Sequence, residues 1–145
     1  MVVVVQRVLE ASVQVDGATV GRIARGYLLL VGIAKTDVEA DVLRLAADVA
    51  KVRLMEDVDG KMGVSVKDGG GEVLAVSQFT LLADFSKGNR PSFHNAAKPE
   101  AAKPLFDLFV RRLEAELGKP VPTGVFGADM KVSLVNDGPV TVVLY

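Results

Sequence analysis

Gly26-Tyr27-Leu28-Leu29-Leu30-Val31-Gly32-Ile33-Ala34, set between Arg25 and Lys35, is the longest apolar run of the chain. A helix that crosses a bilayer needs roughly 20 apolar residues, so this run is too short to span one. From Tyr27 to Ile33 no polar side chain interrupts it, the pattern of a strand buried on both faces. Working outward, Val2 to Val8 is dense in β-branched residues and predicts a strand. Ser12-Val13-Gln14-Val15 alternates, Asp16-Gly17 supplies a tight turn, and Val20 to Ala24 is the return strand. On the other side, Thr36-Asp37-Val38-Glu39 has capping-box spacing, with Thr36 as N-cap and Glu39 reaching back. Val38, Val42, Leu45, Ala46 and Val49 then share one face and predict a helix to about Lys51.

Beyond it, Asp57 to Gly60 and Lys67 to Gly71 are turn-rich, and Glu72 to Gln78 is another apolar strand. Phe85 to Lys98 contains Gly88, Asn89, Pro91 and Asn95 without a clean period and reads as a long loop. A second helix is expected from Glu100 to Leu117, with Phe106, Phe109, Val110, Leu113 and Leu117 on one side and Gly118 as its stop. Pro104 implies a kink there, or a helix that properly begins at that residue. Val121, Lys131 to Val135 and Val140 to Leu144 complete the set as late strands. The expectation is a single α+β domain over residues 1–145, a curved, mainly antiparallel, barrel-like sheet with two main helices.

Composition narrows the chemistry. At 145 residues, half of them apolar and 24 % charged, the chain suits one packed domain and excludes disorder. It has no cysteine and a single histidine, His94. Thiol catalysis, thiolate-bound zinc, iron–sulfur chemistry and a two-histidine metal site are thereby excluded, and a Ser–His–Asp relay would have to use His94. Seventeen basic and eighteen acidic side chains leave a net charge of −1, so any nucleic-acid contact should be local. Met1 to Arg7 lacks the features of a signal peptide, and the chain is read as soluble and cytoplasmic, with no membrane partner.

Three familiar patterns do not complete. Asp57-Val58-Asp59-Gly60 places Met55 and Val66 where a calcium loop needs ligands, so it is an acidic turn. Gly63-Val64-Ser65-Val66-Lys67 misses the nucleophile elbow at its last position. Gly69-Gly70-Gly71 lacks a phosphate-loop lysine. His94 reads as a surface histidine. Lys87, Arg90, His94 and Lys98 share a stretch without acids, which reads equally as a solvated loop or as a phosphate-contacting patch.

Two segments carry the functional reading. Ser77-Gln78-Phe79-Thr80-Leu81 stands where the strand from Glu72 runs out. Alone, it is a strand end whose Ser and Thr satisfy local backbone groups. Asn136-Asp137-Gly138-Pro139-Val140-Thr141 joins the last two strands and alone is a hairpin connection. A Gly–Pro bond costs only about 0.5–1 kcal/mol to hold in cis.

Taken together, the two segments resemble the two signature motifs of the D-aminoacyl-tRNA deacylases. The resemblance extends over the whole chain, through Val2 to Val8 with Gln6-Arg7, through Gly88 to Phe93, and through Thr123 to Met130 followed by Val132-Ser133-Leu134. It implies that family's fold and an editing hydrolase that cleaves the ester of D-aminoacyl-tRNA, and of glycyl-tRNA(Ala), at the acceptor end. It also implies a homodimer whose cis Gly138–Pro139 peptide from one protomer gates the partner's site. Ser77, Gln78, Phe79 and Thr80 would line that site, Arg7 would hold the gate, and Met130 would join the substrate-binding residues. Lys87, Arg90 and Lys98 are the candidates for tRNA phosphates. No cofactor and no metal are implied, because the terminal ribose 2′-hydroxyl assists water attack. Thr80 is assigned a positioning role, and the backbone N–H groups around Phe79 and Thr80 are the candidate oxyanion donors. The rival readings are an editing module like the one appended to archaeal threonyl-tRNA synthetases, a relaxed paralogue with a trans Gly–Pro peptide acting on L-residues, and a non-catalytic dimeric binding module.

Overall fold

The computed structural model describes residues 1–145. Its organising element is β1, a 14-residue strand over Val2–Val15. β2 (Ala18–Ile23) returns from it through Asp16 and Gly17, whose φ angles of 51° and 78° are both left-handed, as a two-residue hairpin turn requires. β3 (Gly26–Gly32) continues along the same edge, from Val8↔Gly26 to Val2↔Gly32. β6 (Glu72–Ser77) joins β3 in parallel, and β7 (Lys131–Leu144) takes the other edge of β1, antiparallel. The main sheet is thus mixed and mainly antiparallel, in the order β2-β1-β3-β6 with β7 on β1. The α+β expectation holds.

The apolar run behaves as its composition demands. Tyr27, Leu29 and Val31 enter one core cluster, with Val3 and Val5 of β1 and the apolar faces of both helices. Leu28 turns to the opposite face and a smaller cluster with Val8, Ala11, Val13, Ile23, Leu74 and Val76. Strand alternation sends odd residues of β1 to the helical side as far as Arg7 and Val8 to the other side. Ala11 and Val13 then share Val8's side because the pairing with β7 shifts register between Val8 and Glu10. One long strand therefore serves two cores.

Helix α1 (Glu39–Lys51) starts later than the capping-box reading places it. Its N-cap is Val38, not Thr36, and the carboxylate of Asp41, not Glu39, accepts the Val38 N–H at 3.0 Å. Asp37 is drawn away to the Ala34 N–H and to the terminal ammonium of Met1, at 2.6 and 2.7 Å. Helix α2 (Pro99–Leu117) starts at a proline and ends on Gly118 in the left-handed conformation (φ 69°). Pro104 does not begin it; it lies inside the helix on the exposed side, where water can take the carbonyl that its missing N–H leaves free. The acidic turn is the tip of a small hairpin, β4 (Met55–Glu56) with β5 (Met62–Val64), in which Asp57 accepts the N–H groups of Asp59 and Lys61. Val121 is a buried core residue and not a strand.

The largest departure is at the C-terminus. Lys131–Val135 and Val140–Leu144 are not two strands joined by a hairpin turn. They are one strand running the same way along β1, bulged outward between Asn136 and Thr141, which pair with Val8 and Gln6. Only Arg7 of β1 stands opposite residues 137–140. A turn-rich sequence here makes a bulge because β1 is long enough to pair on both sides of it.

Gly32, at the end of β3, lets the chain after β6 pack directly against the sheet. A Cβ there would stand 2.6 Å from Leu82 Cδ2 and 3.1 Å from the Gln78 carbonyl oxygen. Gly32→Ala is expected to cost about 1–3 kcal/mol through overpacking, read as a lower urea midpoint with an unchanged m-value.

Candidate active site

β6 ends at Ser77, and a single 3₁₀ turn, Phe79–Leu82, follows at once. Gln78 stays tied to the sheet by its N–H to the Val31 carbonyl, at 2.8 Å. Phe79 and Thr80 are the first two residues of the turn, so no earlier carbonyl of the turn accepts their N–H groups. Beside them opens a cavity of about 540 Å³, within the roughly 300–1,000 Å³ usual for small-ligand sites. The strand end, Val76 to Phe79, and the segment Phe126 to Met130 both line it. The N-terminus of α2, from Lys98 to Ala102, closes one end. Phe93 also lines the cavity, edge to face with Phe79 at 5.0 Å between ring centroids.

Of the residues assigned from sequence, Ser77, Gln78, Phe79, Met130 and Lys98 meet in this cavity. Thr80 stands just outside the lining, exposed, with its hydroxyl accepting a hydrogen bond from the Gln78 amide. An amide N–H cannot accept a proton, so this partner positions Thr80 and does not activate it. The only charged side chains in the lining are Lys98 and Asp129. Lys87 and Arg90 lie on the exposed loop outside it.

Arg7, Gly138 and Pro139 form a second cluster that does not line the cavity. Arg7 is only 5 % exposed, and its guanidinium is matched by carbonyls and carboxylates. It donates to the Asp137 carbonyl at 3.0 Å and to the Leu54 carbonyl at 2.8 Å. The carboxylates of Asp137 and Glu56 lie 3.5 and 3.6 Å away. Burial pushes the phenol of Tyr27 up, and the Leu54 N–H and the nearby Arg7 charge offset only part of that rise. Gly138 has φ 134° and no room for a side chain: a Cβ would lie 2.8 Å from Val140 Cγ2 and 3.4 Å from Arg7 Nη2. The Gly138–Pro139 peptide is cis.

His94 is exposed, outside the cavity lining, and pairs with Asp84 at 2.8 Å. The His94 hydrogen bond, helped by the Ser86 N–H, holds the Asp84 carboxyl at about 2. Phe93, Ala102, Phe126 and Asp129 line the cavity without any role assigned from sequence. Ala102 carried a usable signal, as a small residue on the helix face that otherwise presents Phe106 and Phe109.

The family model for D-Tyr-tRNA(Tyr) deacylase matches residues 4–145. A D-aminoacyl-tRNA deacylase of Dechloromonas aromatica (strain RCB) is 57 % identical over 144 residues, covering 99 % of this chain and 96 % of that protein. One from Chromobacterium violaceum is 58 % identical over 142 residues, with 98 % and 95 % covered. Among solved structures, one titled c-Myc DNA Unwinding Element Binding Protein superimposes with a TM-score of 0.93 at 39 % identity, covering 100 % of this chain and 98 % of that one. A probable eukaryotic D-amino acid tRNA deacylase shares the fold at 16 % identity, with a TM-score of 0.86 over 99 % and 97 % of the two chains. The chain belongs to the D-Tyr-tRNA(Tyr) deacylase family and, with it, to the hydrolases of D-aminoacyl-tRNA esters.

Proposed function

We propose that this chain edits tRNA as a cytoplasmic homodimer. It hydrolyses the ester between a D-amino acid and the 3′-terminal adenosine, and also glycine mischarged to tRNA(Ala). Water attacks the carbonyl carbon, the bond to the ribose 3′ oxygen breaks, and that oxygen leaves with a proton as free tRNA. The adjacent ribose 2′-hydroxyl assists the attacking water, so the protein needs no strong base of its own. Ser77, Gln78, Phe79 and Thr80 hold the ester, and the N–H groups of Phe79 and Thr80 meet the developing oxyanion. Removing one such donor costs about 10²–10³ in rate in known enzymes.

The observation that carries this reading is the separation of the two clusters. Arg7 holds residues 137–139 in a fixed bulge, yet none of these residues lines the cavity of its own chain. A rigid element held out of its own site suits the site of a second copy. β7 supports the same arrangement: it pairs only with β1, along one edge, and exposes Val135 and Val143. A long open edge of this kind is ordinarily covered. With the carbonyl oxygens of Gly138 and Pro139 facing the substrate α-carbon, an L side chain collides with them and a D-residue offers only hydrogen. Glycine passes for the same reason. Lys98 at the cavity, and Lys87 and Arg90 on the loop, meet acceptor-end phosphates.

Purified protein is expected to deacylate D-tyrosyl-tRNA and glycyl-tRNA(Ala) and to leave L-tyrosyl-tRNA intact. Hydrolysis of neither, or of the L-substrate at the D rate, overturns the reading. Gly138→Ala distorts the bulge, and a displacement of about 1 Å costs on the order of 10²-fold in turnover. A substrate with a terminal 2′-deoxyribose should lose about 10²–10⁴-fold, the range for a general acid–base contribution. Arg90→Glu should weaken tRNA binding, lower its salt slope by about 1 or more and leave the melting temperature unchanged, with filter binding at two salt concentrations as the check.

A further inference from the structure

The single histidine takes no part in the chemistry described above, yet it closes a defined structure. Asp84 and Ser92 exchange backbone hydrogen bonds in both directions, at 2.8 and 2.9 Å. The Asp84 carboxylate then accepts the Ser86 N–H on one oxygen and meets His94 Nε2 on the other, each at 2.8 Å. These contacts pinch off residues 85–91 as a tip that carries Lys87 and Arg90. Past the pinch, residues 93–97 are fastened to the end of β3, by Lys35 N–H to the Asn95 carbonyl and Ala97 N–H to the Ile33 carbonyl, both at 2.9 Å. Phe93, Ala96 and Ala97 from this segment line the cavity, and Phe93 packs edge to face on Phe79, which also lines it.

We propose that the Asp84–His94 pair is a positioning clip that keeps residues 92–97 as a preformed wall of the cavity, holding Phe93 against Phe79 before substrate arrives. The wall is fastened at its far end by the two bonds to β3. At its near end the Asp84–Ser92 bridge and the His94 side chain restrain it. Without the side-chain clip, Phe93 can swing on the exposed bridge, and bound substrate must order it. That cost falls on binding and not on the chemical step. Asp84 is ionised at every pH at which the protein would work, which keeps its acceptor role constant. The clip acts at the proposed deacylation site and, as a claim about catalysis, rests on that reading.

Two measurements test it. In the whole protein, His94→Ala should raise KM for D-tyrosyl-tRNA by about 3–5-fold, the scale of one side-chain hydrogen bond, with kcat within about twofold of the parent. His94→Gln, whose amide can still donate to Asp84, should restore KM. Phe93→Ala should raise KM as well, and adding His94→Ala to it should change nothing further, because both act through one ring. Independently of any substrate, amide hydrogen exchange at Ser92 and Ala96 should quicken about 3–5-fold in His94→Ala and stay at the parent rate in α1. Parent-like exchange at Ser92 and Ala96 overturns the clip. So does an unchanged KM in His94→Ala, or effects of the two variants that multiply, when the parent protein is active. A parent protein without deacylase activity overturns the functional reading instead, and the exchange measurement still decides the clip.

Discussion

A buried guanidinium is the constraint on which the rest depends. Arg7 belongs to the most interior strand of the sheet, and burying a charge there would be costly without full pairing. The pairing is assembled from two places far apart in sequence: the backbone and carboxylate of Asp137 in the bulge of β7, and the Leu54 carbonyl with the Glu56 carboxylate after α1. No buried side-chain polar atom of the protein lacks a partner. Satisfying Arg7 therefore fixes where the bulge stands relative to the helical face. The bulge follows from the strand being paired on both sides of a single arginine.

The same strand places the cavity. β1 contributes to two cores, β3 beside it is covered on both faces, and β6 joins β3 as a parallel neighbour at the far edge. β6 thus ends at the same level as β3, where Gly32 leaves no side chain in the way. The chain turns there into a 3₁₀ turn whose leading N–H groups are uncommitted. The groups proposed to face the substrate are the end of a rigid sheet and not the tip of a loop, which suits a site whose task is to hold an ester in one geometry.

Much of this was legible in the residues. Continuous apolarity from Tyr27 to Ile33, the Asp16-Gly17 turn, the α2 face and the Gly118 stop each have a local cause, and each appears where that cause puts it. The start of α1 was not legible because two acids, Asp37 and Asp41, compete for nearby backbone, and a distant ammonium at Met1 decides which one caps. The β7 bulge was not legible because Asn-Asp-Gly-Pro is good turn chemistry; only pairing with a 14-residue partner turns it into a detour within one strand. Ser77, Gln78, Phe79, Lys98 and Met130 come from three segments, and no spacing rule would have gathered them. Resemblance to a family named Ser77, Gln78, Phe79 and Met130, while Lys98 was singled out by its acid-free stretch, as a phosphate contact and not as a neighbour of the other four.

The electrostatics of the cavity fit an activated ester better than an amide. Its charged lining is one lysine and one aspartate, and its one histidine lies outside, committed to Asp84. A site with so little acid–base capacity of its own suits the proposed mechanism, in which orientation, backbone dipoles and the ribose 2′-hydroxyl supply the rate. In that mechanism selection acts at the α-carbon, so breadth toward side chains and strictness toward handedness have one cause. A rigid backbone element can be strict only if something buried holds it rigid, and Arg7, bonded to the Asp137 carbonyl, is the group placed to do so.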